Sequence, residues 1–280
     1  MENKLLAKNK KVNCAFSLLL LGLLLLRLPF LILLEYHKIS IPADIGTYIY
    51  YDGTYLFTAL LILLKRNSLS DYHFSFCALI LFMIAPVAGL IGEYSEINCV
   101  QTGTVQPDLW LRIAISVCLF ITLLILHPKI PKRRFKESAL WFLIAVAVGI
   151  CAGVMTGKIL SLQSDARISI HPSIALTASA FFVQLGNAAS SEEPLFRGLL
   201  WGFLKKLHWH DWWILLFQAA LFWLGHIYYL GVFNYSFWIV VPFSALILGF
   251  VAWRSKSIGT SMVVHGLINS LGDVVAHFTW

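Results

Sequence analysis

Two adjacent carboxylates, two histidines, an arginine and an asparagine interrupt stretches of this chain that otherwise read Leu, Ile, Phe and Val. They fall in three short patterns: Glu192-Glu193-Pro194-Leu195-Phe196-Arg197, then Phe222 through His226, then His265 through Asn269. On a helix Glu193 and Arg197 share a face and can pair, whereas Glu192 is rotated by about 100° and is free to point elsewhere. A carboxylate left over in this way, buried with limited charge compensation, makes a candidate general base near neutral pH. His226 lies one turn after Phe222 on the same helical face. His265 and Asn269, also one turn apart, present an imidazole and an amide as neighbouring donors, which suits an oxyanion and equally suits hydrogen bonding between helices.

Each pattern has a plain structural alternative: a glutamate pair neutralised by arginine at a helix end, a hydrogen-bonded membrane histidine, a polar contact between helices. Together they are harder to explain as independent features, because each polar group left unpaired in lipid costs a few kcal/mol. Depth supports a meeting. Glu192 precedes Lys205, His226 follows Trp212 and Asn269 follows Lys256 by similar lengths of chain, which at 1.5 Å per residue places all three roughly 20 Å along their helices.

The elements that must position these groups are membrane helices. The 280-residue chain is 59% hydrophobic and 12% charged, with a mean hydropathy of +0.78, and soluble domains carry about twice that share of charge. The apolar runs predict helices over 13–34, 47–64, 73–92, 110–127, 139–157, 172–204, 212–230, 236–253 and 257–279, an all-α polytopic transmembrane bundle of eight or nine spans. Alternating segments of a membrane barrel are absent. The Leu-rich opening is too long for a signal peptide and lacks a small-x-small cleavage site, so it reads as a retained anchor.

The basic stretch His127 to Glu137 divides the chain into residues 1–138, a hydrophobic section of about four helices, and residues 139–280, a section of about five helices that carries every motif in its 172–275 core. That back section is expected to house the site alone. In the front section, Arg27 is expected to snorkel or to serve a structural role rather than to pair with a buried acid. Pro194, with Gly186, Gly198 and Gly202, predicts a kink in the long sixth helix, and the kink would make room for a polar cavity. In the nine-helix reading fifteen Lys and Arg fall in loops on one side and only Lys38, Lys158 and Arg167 on the other. The N-terminus is therefore expected on the cytoplasmic face of the cell membrane, with the loop 93–109 and its Cys99 outside.

The order and spacing of Glu-Glu-x-x-x-Arg, Phe-x-x-x-His and His-x-x-x-Asn on successive membrane helices resemble the CPBP family, the type II CAAX prenyl endopeptidases and their bacterial relatives, which are glutamic-type intramembrane proteases. Every motif position is present in residues 172–275. The resemblance implies an endopeptidase acting on a membrane-associated or lipidated protein or peptide. It implies that Glu192, with His226, activates a water and that His265 and Asn269 hold the oxyanion, with Glu193, Arg197 and Phe222 in support. Bacterial relatives also process C-terminal sorting signals in a sortase-like manner or confer bacteriocin immunity, and a non-catalytic immunity or scaffold protein is the competing class.

No cofactor or metal is expected. The five cysteines lack ligand spacing, HExxH is absent, and Arg197 beside the carboxylates would repel a divalent cation. The net charge of +7 follows the loops and suits anionic headgroups of the lipid bilayer, and nothing gathers it into a nucleic-acid groove.

Overall fold

The computed structural model describes residues 2–36, 38, 41–95, 109–128, 130, 135–162 and 173–276. Cys99 and Arg167, with Lys129, Lys132, Arg133 and Arg134 of the basic stretch, lie outside the described residues. Among the described residues there are no β-strands, and the helices form nine segments. Segment α1 runs through Glu2–Leu25, a π turn at Leu26–Phe30, and Leu31–Glu35. It is followed by α2 (Ala43–Leu64), α3 (Phe76–Tyr94), α4 (Leu109–Leu126) and α5 (Phe135–Ser161). Segment α6 is composite: Ile174–Gln184, a π turn at Leu185–Ala189, Ser190–Glu193, a second π turn at Pro194–Leu200, and Trp201–Lys206. The chain ends with α7 (Asp211–Gly225), α8 (a π turn at Ser236–Val240, then Val241–Ser255) and α9 (Ile258–Ala276).

Six stretches, within α1, α3, α4, α5, α8 and α9, are long and apolar enough to cross a bilayer, and the chain is a multi-pass membrane protein. The other three fall short for local reasons. Tyr48, Tyr50, Tyr51 and Asp52 make the start of α2 polar, α6 is interrupted, and α7 has only 15 residues. The six thus stand below the eight or nine spans expected from the apolar runs.

The single kink expected at Pro194 is instead two π turns in α6. A wider turn, like a proline that lacks an N–H, frees backbone carbonyls, and in a membrane those must find donors within the protein. They do. The Ser190 hydroxyl donates to Gly186 O (2.7 Å), the Ser191 hydroxyl to Asn187 O (2.7 Å), and the Arg112 guanidinium to Gly186 O (2.7 Å). Within the second turn, His73 Nδ1–H donates to Arg197 O at 3.0 Å.

The centre of the bundle is α9, 72% buried within the protein where the spans of α1, α4 and α5 are 22–28% buried. Gly149, Gly153 and Gly157, one per turn of α5, give α9 a groove in which Leu267, Leu271 and Val275 lie. Small residues at this spacing let two backbones approach closely, which is how helices gain dispersion contacts where lipid offers no hydrophobic drive. The larger apolar core joins both sections of the chain, with Phe16, Leu23, Tyr55 and Phe82 packed in one cluster with Leu199, Trp201, Ile214 and Phe222.

Candidate active site

Glu192 and Glu193 sit on the short helical stretch between the two π turns of α6, both buried. Glu193 is enclosed: its Oε2 lies 3.4 Å from Arg197 Nε and its Oε1 accepts from His265 Nδ1–H at 2.8 Å. The Glu193–Arg197 pairing read from their spacing is therefore present, and it also reaches a histidine of α9. The guanidinium of Arg197 stacks over the Phe222 ring at 4.4 Å, and the same ring lies 4.7 Å from that of His226 and 6.2 Å from that of His265. Phe222 is thus the apolar wall against which the ionic groups of three helices are held.

Glu192 faces the other way, as its rotation from Glu193 requires, but it is not left without a counter-charge. Arg27 Nη2 contacts Glu192 Oε1 at 2.5 Å, and the Arg27 guanidinium lies 4.1 Å from the centre of the Tyr50 ring. Both expectations for the front section are corrected here. Arg27 is 4% exposed and does not snorkel; the π turn that contains it and Pro29 sits where α1 meets the core. A carboxylate in low dielectric is costly unless paired, and Arg27 supplies the pairing from 165 residues away. Nor does the back section hold the site alone, since Leu31, Glu35, Thr47, Tyr50 and Tyr51 line the same cavity.

That cavity, about 660 Å³, is lined by Glu192, Phe222, His226, His265 and Asn269 together. His226 caps the end of α7, and its Nδ1–H donates to Phe222 O at 2.8 Å, so a neutral ring keeps its lone pair on Nε2. His265 Nε2 lies 3.8 Å from Glu192 Oε2. A ring that donates through Nδ1 to Glu193 can donate through Nε2 as well only as an imidazolium. Asn269 does not stand beside His265 as an idle donor: its amide donates to Gln184 Oε1 on α6 at 3.0 Å, which fixes its orientation.

Sequence reading missed three residues here: Arg27, Gln184 and Tyr50. Arg27 carried one signal, an arginine inside a Leu run two residues before a proline. Gln184 and Tyr50 carried none, because their roles depend on which helices meet. A second buried arginine, Arg112 of α4, binds Asn187 Oδ1 (2.8 Å) and lies 3.4 Å from Asp52 of α2. Two front-section guanidiniums therefore hold α6, Arg27 within its short helical stretch and Arg112 at the π turn before it.

The arrangement offers carboxylate and imidazole acceptors and amide and imidazole donors around one cavity, inside a bundle whose outside is lipid. Neither a curated protein nor a solved structure matches the chain. Residues 173–271, which hold all three motifs and both π turns of α6, match the family model described as Type II CAAX prenyl endopeptidase Rce1-like.

Proposed function

We propose that the protein is an intramembrane endopeptidase of glutamic type, hydrolysing a peptide bond of a membrane-associated protein or peptide. The observation that carries this reading is the assembly of Glu192, His226, His265 and Asn269, from three separate motifs, around one cavity. Arg27 holds Oε1 of Glu192, and Oε2 is the oxygen nearer His265. A water between Glu192 Oε2 and His226 Nε2 is oriented by the carboxylate and gives up its proton to this pair as it attacks the substrate carbonyl. The Asn269 amide, aimed by Gln184, and the His265 ring, held by Glu193, stabilise the resulting oxyanion, and its collapse breaks the C–N bond as the proton taken from the water passes from Glu192 and His226 to the leaving amine. The charges already present support chemistry without a metal: Arg27 beside Glu192 and Arg197 beside Glu193 put two positive charges next to the carboxylates, which disfavours a divalent cation.

We further infer nine spans, with α2, α6 and α7 crossing despite their polar or interrupted character, a cytoplasmic N-terminus, and residence in the cell membrane. The test is Glu192→Gln, which keeps the shape and removes the basic oxygen. Turnover should fall by at least about 100-fold, with the gel-filtration profile in detergent unchanged. Full activity in the variant, or activity lost to a chelator and restored by zinc, would remove the glutamic mechanism.

A further inference from the structure

The cavity has an inside and an outside, and the helices that line it all agree on which is which. Its wall includes Glu35 at the end of α1, Thr47 near the start of α2, Leu160 near the end of α5, Phe233 after α7, Ser236 at the start of α8 and Asp273 near the end of α9. In an up-and-down bundle, ends and starts alternate between the two faces, so these six positions lie on one face. Most of the basic residues lie on the other, where Lys65 ends α2, Lys205 and Lys206 end α6, and Arg254 and Lys256 close α8, against Lys38 and Lys158 among the described residues on the face of the cavity.

Beneath the site, on the basic side, there is no corresponding passage among the described residues. Tyr72, Phe74, Trp201, Leu204, Ile258 and Met262 are all buried there in one continuous apolar core, and Glu193 and Arg197 close the floor, both 0% exposed. Glu192 lies roughly 20 Å from the basic end of α6 by helical rise, which leaves about 10 Å of a 30 Å hydrocarbon layer between it and the opposite surface.

Because Lys and Arg in short loops are retained on the cytoplasmic side, we infer that the cavity opens to the exoplasmic face and that the substrate is a polypeptide cleaved there, at a bond just inside the outer leaflet beside its own membrane anchor. This rests on the peptidase reading above. It excludes a substrate tail that approaches from the cytoplasm, since such a tail would have to pass the packed inner half.

The test uses the full chain in membrane vesicles of known orientation. With the five native cysteines replaced by serine, Thr47→Cys should react with a membrane-impermeant maleimide in right-side-out vesicles, and Lys205→Cys only in inverted ones. The wild-type chain in the same two preparations is given an acyl-anchored, fluorescence-quenched peptide library. Glu192-dependent cleavage is expected in right-side-out vesicles and at least 10-fold less in inverted ones. Labelling of Thr47→Cys only in inverted vesicles, or cleavage confined to them, overturns the inference. Labelling as expected with no cleavage in either preparation removes the peptidase reading and leaves the outward opening standing. Should the cysteine-free chain fail to fold, the sidedness of wild-type cleavage decides alone.

Discussion

Two neighbouring glutamates hold different partners, and the difference assigns them different work. Glu193, fully buried between Arg197 and His265, orients a ring, whereas Glu192 meets Arg27 on one oxygen and the cavity on the other. The Arg27 pair can be separated from catalysis by its energetics. Arg27→Gln leaves a buried carboxylate without its cation, and breaking such a pair costs about 3–5 kcal/mol. Adding Glu192→Gln removes the stranded charge, so the double variant should melt at a higher temperature in detergent than Arg27→Gln alone, a coupling of at least ~1 kcal/mol. Additive losses would mean that Arg27 packs against the site without compensating it. For Asn269, already aimed by Gln184, substitution by alanine removes a donor that matters only as charge develops. We expect kcat to fall by roughly 100- to 1000-fold with KM little changed, and a defect confined to KM would reassign Asn269 to substrate binding or helix packing.

Helices were legible in proportion to how plainly their apolar pattern ran. The boundaries of α3, α4 and α8 follow the sequence closely because charged residues fall only near their ends, and the three motifs stood out because charge in an apolar run is expensive. The two π turns of α6 were not legible, since a π turn differs from an α turn in hydrogen bonding and not in composition. Pro194 marked one of them; the other, at Leu185–Ala189, is held by local bonds from Ser190 and Ser191 and by Arg112, whose contact is tertiary. The Arg27–Glu192 pair was equally hidden, because no spacing rule links residues on helices so far apart in sequence. The glycine ladder Gly149, Gly153, Gly157 is the reverse case, a readable four-residue repeat whose meaning becomes plain once α9 is seen in its groove. A β-carbon at Gly153 would come within 2.6 Å of Leu267 O, a backbone atom that cannot swing aside. Gly153→Val should therefore force α5 from α9 and destabilise the protein by about 1–3 kcal/mol, visible as a lowered melting temperature in detergent. An unchanged melting temperature would show that the two helices can separate freely.

At the scale of the molecule, the boundary at the basic stretch His127 to Glu137 divides sequence motifs but does not divide the core. Residues of α1, α2 and α3 pack in the same apolar cluster as α6 and α7, and Arg27 and Arg112 reach across to the helix that carries Glu192. The family match begins at residue 173, so the chain supplies from outside the matched section both the counter-charge of the proposed base and the donor to a carbonyl freed by the first π turn. Buried ionic contacts of this kind contribute only when both sides are present, because each alone is a charge without a partner in low dielectric. Residues 139–280 expressed alone should therefore reach the membrane but aggregate on extraction and lack activity. The contacts that join the sections are non-covalent and lie away from the basic stretch, so a chain severed within that stretch and co-expressed as two pieces should reassemble: the pieces should copurify in mild detergent and recover Glu192-dependent cleavage. Copurification is the primary readout, since it does not depend on knowing the substrate. Arg27→Gln in the front piece should weaken it, and a back piece that folds and cleaves without its partner would show that the front section is dispensable to the site.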